Sequence, residues 1–185
     1  MPNLLHLAAL RDTTAQSGSG LPGYPRSAML NEAYALWLTA CGDRDMPSWA
    51  DVQARHSDLV HPQSLLLSVQ RDGAPDWPLD FRYELIGSRM HAILNIDYTG
   101  MTLSQVPHQR PPSLVWDHLA AAVDARAPIK GVVPYVGRSR DVGGVFHIVL
   151  PLSDDGVSVD RVLVCVDLAP PIRLQDGTPP FTQLG

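Results

Sequence analysis

Histidine is the residue type in this chain with the widest chemical range, because a neutral imidazole binds metals or haem iron and also exchanges protons near neutral pH. The chain has seven histidines. His56 and His61 are five positions apart, which puts them on different sides of a helix, and no H-E-x-x-H or H-x-H pattern occurs. We therefore predict no metal site and place these two histidines in a solvated connection.

His118 is the residue that best fits a haem ligand. It stands beside Leu119 in a segment with helical spacing, and one imidazole is sufficient for proximal ligation of haem iron. The alternative is a hydrogen-bonded or solvated histidine at the edge of that helix. His91, in a short helical stretch, is a weaker alternative ligand. We expect no cofactor, and haem is the alternative that stays open.

His147 stands between Phe146 and Ile148 in a strand-like stretch that is apolar on both faces. It is either a polar contact inside a ligand pocket or a hydrogen-bonded histidine under the N-terminal helix, and the second interpretation is favoured. A cavity between sheet and helices could also be lined by large side chains that are equally well explained as core. These further pocket candidates are Tyr83, Met90, Trp116 and Tyr135.

Motifs for phosphate binding or nucleophilic catalysis are missing from the sequence. It contains no G-x-x-x-x-G-K-[ST] loop, no G-x-G-x-x-G between a strand and a helix, and no G-x-S-x-G turn. Cys41 and Cys165 both have apolar neighbours, which is typical of reduced core cysteines. An acid–base enzyme would have to use Asp117 or His118 together with His147. We expect no catalytic residues.

Composition excludes several classes of protein. The 185 residues include 14 Lys and Arg against 19 Asp and Glu, a formal charge of −5, which argues against nonspecific nucleic-acid binding. No apolar run reaches the roughly 18 residues of a membrane span. The apolar start, residues 1–10, lacks the basic residues of a signal peptide. With 45% apolar residues, we expect one folded domain and a cytoplasmic location.

The positions of Ser, Gly and Pro divide the chain into three parts. Residues 1–27 are predicted to be a flexible N-terminal segment, 28–168 the folded domain, and 169–185 a Pro-rich C-terminal tail. The domain begins with a helix over 28–43, with Ser27 as N-cap and an end at Gly42. Its apolar positions recur with helical spacing, and they are Leu30, Ala33, Tyr34, Trp37, Leu38 and Cys41.

The remaining pattern predicts an α+β domain with one five-stranded antiparallel sheet. Helices should pack on one face of this sheet, and the helix at 28–43 should cover the other face. The predicted strands are 64–70, 81–87, 129–137, 145–153 and 160–168. The further predicted helices are 49–56, 88–95, 102–106 and 113–126.

Three stretches of the chain, residues 81–107, 150–168 and 36–52, together resemble a bacterial family of short, stand-alone PAS proteins. FRYELIGSRMHAILNIDYTGMTLSQVP (81–107), with its Gly87 and Thr99-Gly100, is similar to the centre of that family. LPLSDDGVSVDRVLVCVDL (150–168) is similar to its closing hairpin, and LWLTACGDRDMPSWADV (36–52) to its first helix. The resemblance covers residues 28–168. It implies a PAS fold, a role in sensing or protein interaction, and no shared catalytic residues.

The resemblance also bears on cofactor and partner. In haem-binding PAS domains the iron ligand comes from the helix that corresponds to 113–126, which carries His118. In many PAS proteins a flanking helix like 28–43 packs on the outer sheet face and supports dimerisation. The residues expected at such a dimer contact are Leu30, Tyr34, Trp37 and Leu38.

Together these observations predict a non-enzymatic sensory or adaptor module that acts through protein contacts. The length leaves no room for a kinase, cyclase or DNA-binding output domain, so we expect a signalling protein as partner and a homodimer. A small molecule in the PAS cavity could regulate that contact. The alternative is a small α+β cone-fold enzyme of the ketosteroid-isomerase type with an Asp/His pair.

Overall fold

A computed structural model describes residues 11–12, 27–58, 60–72, 77–94, 96–135, 142 and 144–169. Most of the predicted N-terminal segment and C-terminal tail therefore lies outside the described residues. Two short pieces differ from the prediction. Arg11–Asp12 form a strand within the segment predicted to be flexible, and Ala169 ends the last strand rather than opening the tail.

Apart from the short first strand, the elements follow one another in the predicted order of two helices, two strands, further helices and three strands. The helices are α1 (Ala28–Cys41), α2 (Trp49–Gln53), α3 (Ser88–Leu94) and α4 (Leu114–Ala125). The strands are β1 (Arg11–Asp12), β2 (Ser64–Gln70), β3 (Asp80–Ile86), β4 (Ile129–Pro134), β5 (Gly144–Leu152) and β6 (Arg161–Ala169). Short 3-10 helices occur at His61–Gln63 and Leu103–Gln105.

The strands form one sheet in the order β1-β4-β5-β6-β2-β3. Strands β2 to β6 pair only antiparallel, which confirms the predicted α+β class and the five-stranded antiparallel sheet. The two-residue β1 adds a parallel contact at the free edge of β4. Strand β2 lies between β3 and β6. The hairpin of β2 and β3 therefore joins the group of β4, β5 and β6 by the pairing of β2 with β6.

Helix α1 begins at the predicted cap, because the side chain of Ser27 accepts a hydrogen bond from the backbone N–H of Leu30 at 3.0 Å. It ends at Gly42, whose φ of 59° suits a residue without a Cβ. The helix packs on β5 and β6. The indole Nε1 of Trp37 donates a hydrogen bond to the carbonyl oxygen of Pro151 at 2.8 Å, and this contact fixes the helix on the sheet.

The two faces of the central strands have different neighbours. Successive strand residues point to opposite sides, so Val145, His147 and Val149 share one face of β5. Ile148 and Leu150, both fully buried, belong to the other face, and α1 packs on these strands there. The first face is the one that α4 and α3 cover.

The connection from β3 into α3 depends on a glycine at position 87. A Cβ there would lie 2.4 Å from the backbone oxygen of His61 and 2.6 Å from that of Pro62. The backbone N–H of Gly87 also donates to the carbonyl oxygen of Ser64 at 2.8 Å. Because no side chain fits in this contact, Gly87 lets α3 start directly beside the entry to β2.

Across the described residues, none of the helices combines the length and the apolar character needed to traverse a lipid bilayer.

Candidate functional site

A cavity of about 1130 Å³ lies between the sheet and the helices α3 and α4. Its sheet side is made of aliphatic residues from the centre of the strands, among them Leu65, Val149 and Val164. Its helical side includes Met90 and Leu119. Pockets of this size that are mainly apolar and carry few polar groups are typical binding sites for small molecules.

One end of the cavity is bordered by exposed side chains. Arg89 on α3 and His108 in the segment before α4 both line it and are exposed. Two large apolar residues beside them are also open to solvent, Ile96 at 55% exposure and Leu114 at 51%. We call these four residues, Arg89, Ile96, His108 and Leu114, the cavity mouth.

Tyr83 and Gln109, which both line the cavity, are hydrogen-bonded to each other. The hydroxyl of Tyr83 donates to Oε1 of Gln109 at 2.5 Å, and both residues are buried. Burial raises the pKa of Tyr83, so its hydroxyl stays protonated and remains a donor. Tyr98 stacks on Tyr83 with ring centroids 5.8 Å apart, which fixes the plane of the phenol ring.

A second polar pair joins α4 to the sheet. Nδ1 of His118 and Nε2 of His147 are 2.9 Å apart, and the ring centroids are separated by 4.9 Å. His147 lines the cavity, is only 5% exposed and also hydrogen-bonds to the backbone of Val145. The described chain therefore satisfies both ring nitrogens of this buried histidine.

The partners determine which nitrogens carry protons. Because Nε2 of His147 faces His118, we assign the hydrogen bond with the Val145 carbonyl to Nδ1 of His147, which is then the donor. In the neutral ring Nε2 of His147 is then the acceptor, and Nδ1–H of His118 donates to it. Nε2 of His118 consequently keeps its lone pair.

Both imidazoles are held in the neutral form. Burial, followed by the proximity of His118, lowers the pKa of His147 from 6.5 to about 3. Burial also lowers the pKa of His118, against a smaller opposing effect of Asp117. A ring whose conjugate acid has a pKa of about 3 is a weak base at neutral pH, so the pair is poorly suited to general-base catalysis.

Gly131 on β4 makes room for this histidine pair. A Cβ at position 131 would lie 2.5 Å from Cε1 and from Nδ1 of His118 and 2.7 Å from Nε2 of His147. Gly131 is opposite His147 in the β4–β5 register, so the missing side chain creates the space that the two rings occupy. Helix α4 can therefore approach the sheet closely at this point.

The structure brings together most of the pocket residues that the sequence suggested. Tyr83, Met90, Tyr135 and His147 line the cavity. Trp116 does not, because its ring packs edge-on against Phe81 in the core at a centroid distance of 5.5 Å. The favoured interpretation of His147 was wrong about its location: it is hydrogen-bonded, as expected, but on the cavity face rather than under α1.

Haem ligation through His118 does not fit this arrangement. His118 does not line the cavity, and its Nδ1 is engaged with Nε2 of His147, which does line it. His91 is exposed on α3 and is likewise outside the cavity lining. An axial ligand must face the haem, so neither predicted histidine is placed to hold one in this cavity.

The other predicted histidine pair is less solvated than expected. His56 is partly buried, with its ring 5.1 Å from Trp49 and 5.2 Å from His61, and its Nε2 has no hydrogen-bond partner among the described residues. Burial and the neighbouring His61 lower the pKa of His56. Within the described ranges, no group of three or more His, Cys, Asp or Glu residues is arranged to hold a metal ion.

The proposed dimer helix is largely used by the chain itself. Leu30 and Trp37 are fully buried against the sheet and are not available to another molecule. Tyr34 and Leu38 are partly exposed, and Nζ of Lys130 lies 5.9 Å from the centre of the Tyr34 ring. For these two residues a dimer contact stays a prediction.

Sequence reasoning missed three residues that shape the site: Arg89, Gln109 and Gly131. Each one lacks a local signal, because its role depends on elements that are far apart in the chain. The Asp117 carboxyl, named in the enzyme alternative, is exposed and does not line the cavity.

Comparison of the chain with protein-family models, with curated proteins and with solved structures finds no match in any of the three.

Proposed function

We propose that this protein is a non-enzymatic, PAS-like sensory or adaptor module that binds a small molecule in the cavity and signals through protein contacts. The observation that carries the proposal is the cavity itself, about 1130 Å³ of mainly aliphatic space enclosed by the sheet and α3–α4. The element order supports the PAS-like assignment, since a hairpin, short helices, a longer helix and three strands follow one another as the resemblance implies.

The polar groups of the cavity favour binding over catalysis. Tyr83 is hydrogen-bonded to Gln109 and His147 to His118, and both histidines are held neutral. Such groups orient a ligand without transferring protons at neutral pH. The enzyme alternative therefore has less support than the sensory one, although it shares the same cavity.

A ligand would act on the surface through the elements that enclose the cavity. It can shift a conformational equilibrium only by binding one state more tightly than another. Helix α3 is the natural element for such a shift, because Met90 is the only residue in it that is buried. We expect the protein partner, or a second copy of the chain, to contact the surface that this shift changes.

The test is native mass spectrometry and an absorbance spectrum of freshly purified full-length protein. A bound small molecule whose occupancy falls in the Val164→Phe variant supports the proposal, because Val164 lines the cavity and a larger ring there narrows the space against the sheet. Val157→Phe, at a position 64% exposed and outside the cavity lining, is the matched control. An adduct of equal mass and occupancy in the Val164→Phe variant would place the ligand elsewhere and contradict the proposal.

The dimer prediction needs its own variant. Leu38→Glu puts a charge on the partly exposed face of α1, and Thr39→Glu is an exposed control one position away. Light scattering after size-exclusion chromatography should show a loss of dimer in the first variant only. An unchanged mass for Leu38→Glu would argue against a dimer through α1.

A further inference from the structure

The ionisable side chains that line the cavity are basic rather than acidic. Its lining contains Arg89, His108 and His147, and no Asp or Glu is found among the described residues that form it. Arg89 has no ion pair with a carboxylate within the part of the chain that the structure describes. The protein as a whole is acidic, with a formal charge of −5, so an unpaired cation at the mouth stands out against the composition.

A buried donor inside the cavity points the same way. Gln109 is 7% exposed, and its Oε1 is already used by the Tyr83 hydroxyl. Its amide Nε2 has no hydrogen-bond partner among the described residues. Because Gln109 lines the cavity, this amide is a hydrogen-bond donor that the residue can offer to a bound molecule.

The two donors lie on one side of the cavity. Arg89 is on α3, and Gln109 follows His108 in the segment that leads into α4. The opposite wall is formed by the strands and is mainly aliphatic, with Leu67, Val149 and Val166 among its residues. Its polar strand residues Tyr83 and His147 are hydrogen-bonded to Gln109 and His118. A ligand that satisfies both sides must combine an apolar body with a hydrogen-bond-accepting, negatively charged head.

From this arrangement we infer that the cavity binds an amphiphile with one carboxylate head, the head at Arg89 and Gln109 and the apolar body against the sheet. This inference rests on the proposed ligand-binding function and names the class of its ligand. A guanidinium offers paired N–H groups that match a carboxylate, and the amide of Gln109 adds a donor that a neutral cavity would not need. Leu114 and Ile96, the exposed apolar residues of the mouth, cover the first part of the chain behind the head.

The experiment compares two probes that share one alkyl chain and differ in head group, decanoate and 1-decanol, by isothermal titration calorimetry on the full-length protein. We expect decanoate to bind more tightly than 1-decanol. In Arg89→Gln, decanoate binding should weaken by about fivefold, the scale of one exposed charge pair, while 1-decanol binding stays unchanged. Arg82→Gln is the matched control, because Arg82 is an exposed arginine on β3 that does not line the cavity.

A second variant tests the buried donor without changing charge. Gln109→Glu keeps the size of the side chain and its acceptor for Tyr83 but replaces the amide donor with a carboxylate. Decanoate binding should fall further in this variant than in Arg89→Gln, since like charges then meet inside the cavity, whereas 1-decanol should bind as before.

The outcomes separate this inference from the function on which it rests. Equal affinities for decanoate and 1-decanol in the native protein, or an Arg89→Gln variant that binds decanoate as well as native, would overturn the assignment of the head group. If neither probe binds while native mass spectrometry shows an adduct whose occupancy falls in Val164→Phe, the ligand class is wrong but the cavity function stands. Absence of both probe binding and adduct would overturn the two proposals together.

Discussion

At the scale of single residues, His147 links the site to the stability of the protein. Its pKa is lowered from 6.5 to about 3 in the folded chain, first by burial and then by His118. Below pH 6.5 the unfolded chain therefore binds a proton at this position that the folded chain does not bind. Stability consequently decreases as pH falls from 6.5 towards 3, by at most about 1.4 kcal/mol per pH unit for one group.

Replacing this histidine should reduce that dependence, and the part that remains comes from His118 and His56, whose pKa values burial also lowers. We expect His147→Gln to show a smaller decrease in unfolding free energy than the native protein when urea unfolding is measured from pH 6.5 down to pH 4.5, a range above most carboxyl titrations. His108→Gln, at an exposed histidine, should keep the native slope. Parallel pH profiles for His147→Gln and native protein would show that His147 titrates normally in the fold.

The same residue shows where sequence reasoning reaches its limit. The sequence alone predicts Tyr83, Met90 and His147 as cavity residues, because a large or polar side chain within an apolar stretch can be recognised without a structure. Their partners were not, since His118 and His147 are 29 positions apart and spacing says nothing of such contacts. The prediction that Trp116 lines the cavity was wrong for the same reason, because its position on α4 does not reveal that its ring packs against Phe81.

At the scale of elements, the predictions were more accurate because the signals are local. The strand at 64–70 has the predicted bounds, and the other strands begin within one residue of them. The strand predicted to end at 137 stops at Pro134, and α1 and α2 end before the predicted residues. Strand β1 was not predicted because two residues are too few to show periodicity. It is a strand only because it pairs with the free edge of β4.

Helix α1 gives the prediction that belongs to this scale. Trp37 is fully buried and its Nε1 donates to the Pro151 carbonyl, 114 residues away in the chain. Trp37→Phe keeps an aromatic ring but leaves that carbonyl unpaired and a small void, so we expect a loss of about 2 kcal/mol in unfolding free energy. Chemical unfolding followed by circular dichroism measures this loss.

Trp49→Phe is the matched control for that measurement. Trp49 lies on α2, is partly exposed and contacts His56, so its replacement should cost less than about 1 kcal/mol. Equal losses in the two variants would mean that the indole–carbonyl bond does not hold α1 to the sheet. Because Trp37 is a core residue, its substitution reports on folding and not on a partner contact.

At the scale of the whole molecule, the cavity is open space that side chains would fill in an ordinary protein core. Close packing is the rule in protein interiors, and the lining of an open cavity forgoes dispersion contacts. A ligand that enters it restores those contacts in the folded state only, so binding must raise stability. At a free ligand concentration about 100 times the Kd, the gain is about 2.7 kcal/mol.

This linkage yields a prediction about the fold as well as the ligand. Thermal unfolding of the native protein should shift to higher temperature with decanoate, whereas Val164→Phe should show a smaller shift, because the new ring takes part of the space where the alkyl chain would lie. Without ligand, that variant should be at least as stable as native, since a ring that fills existing space adds contacts without displacing neighbours. Val157→Phe, at an exposed position, should respond to decanoate like the native protein. A Val164→Phe variant that unfolds well below native without ligand would show instead that the walls of the cavity are already closely packed in solution, and the site would then have to form only when a ligand arrives.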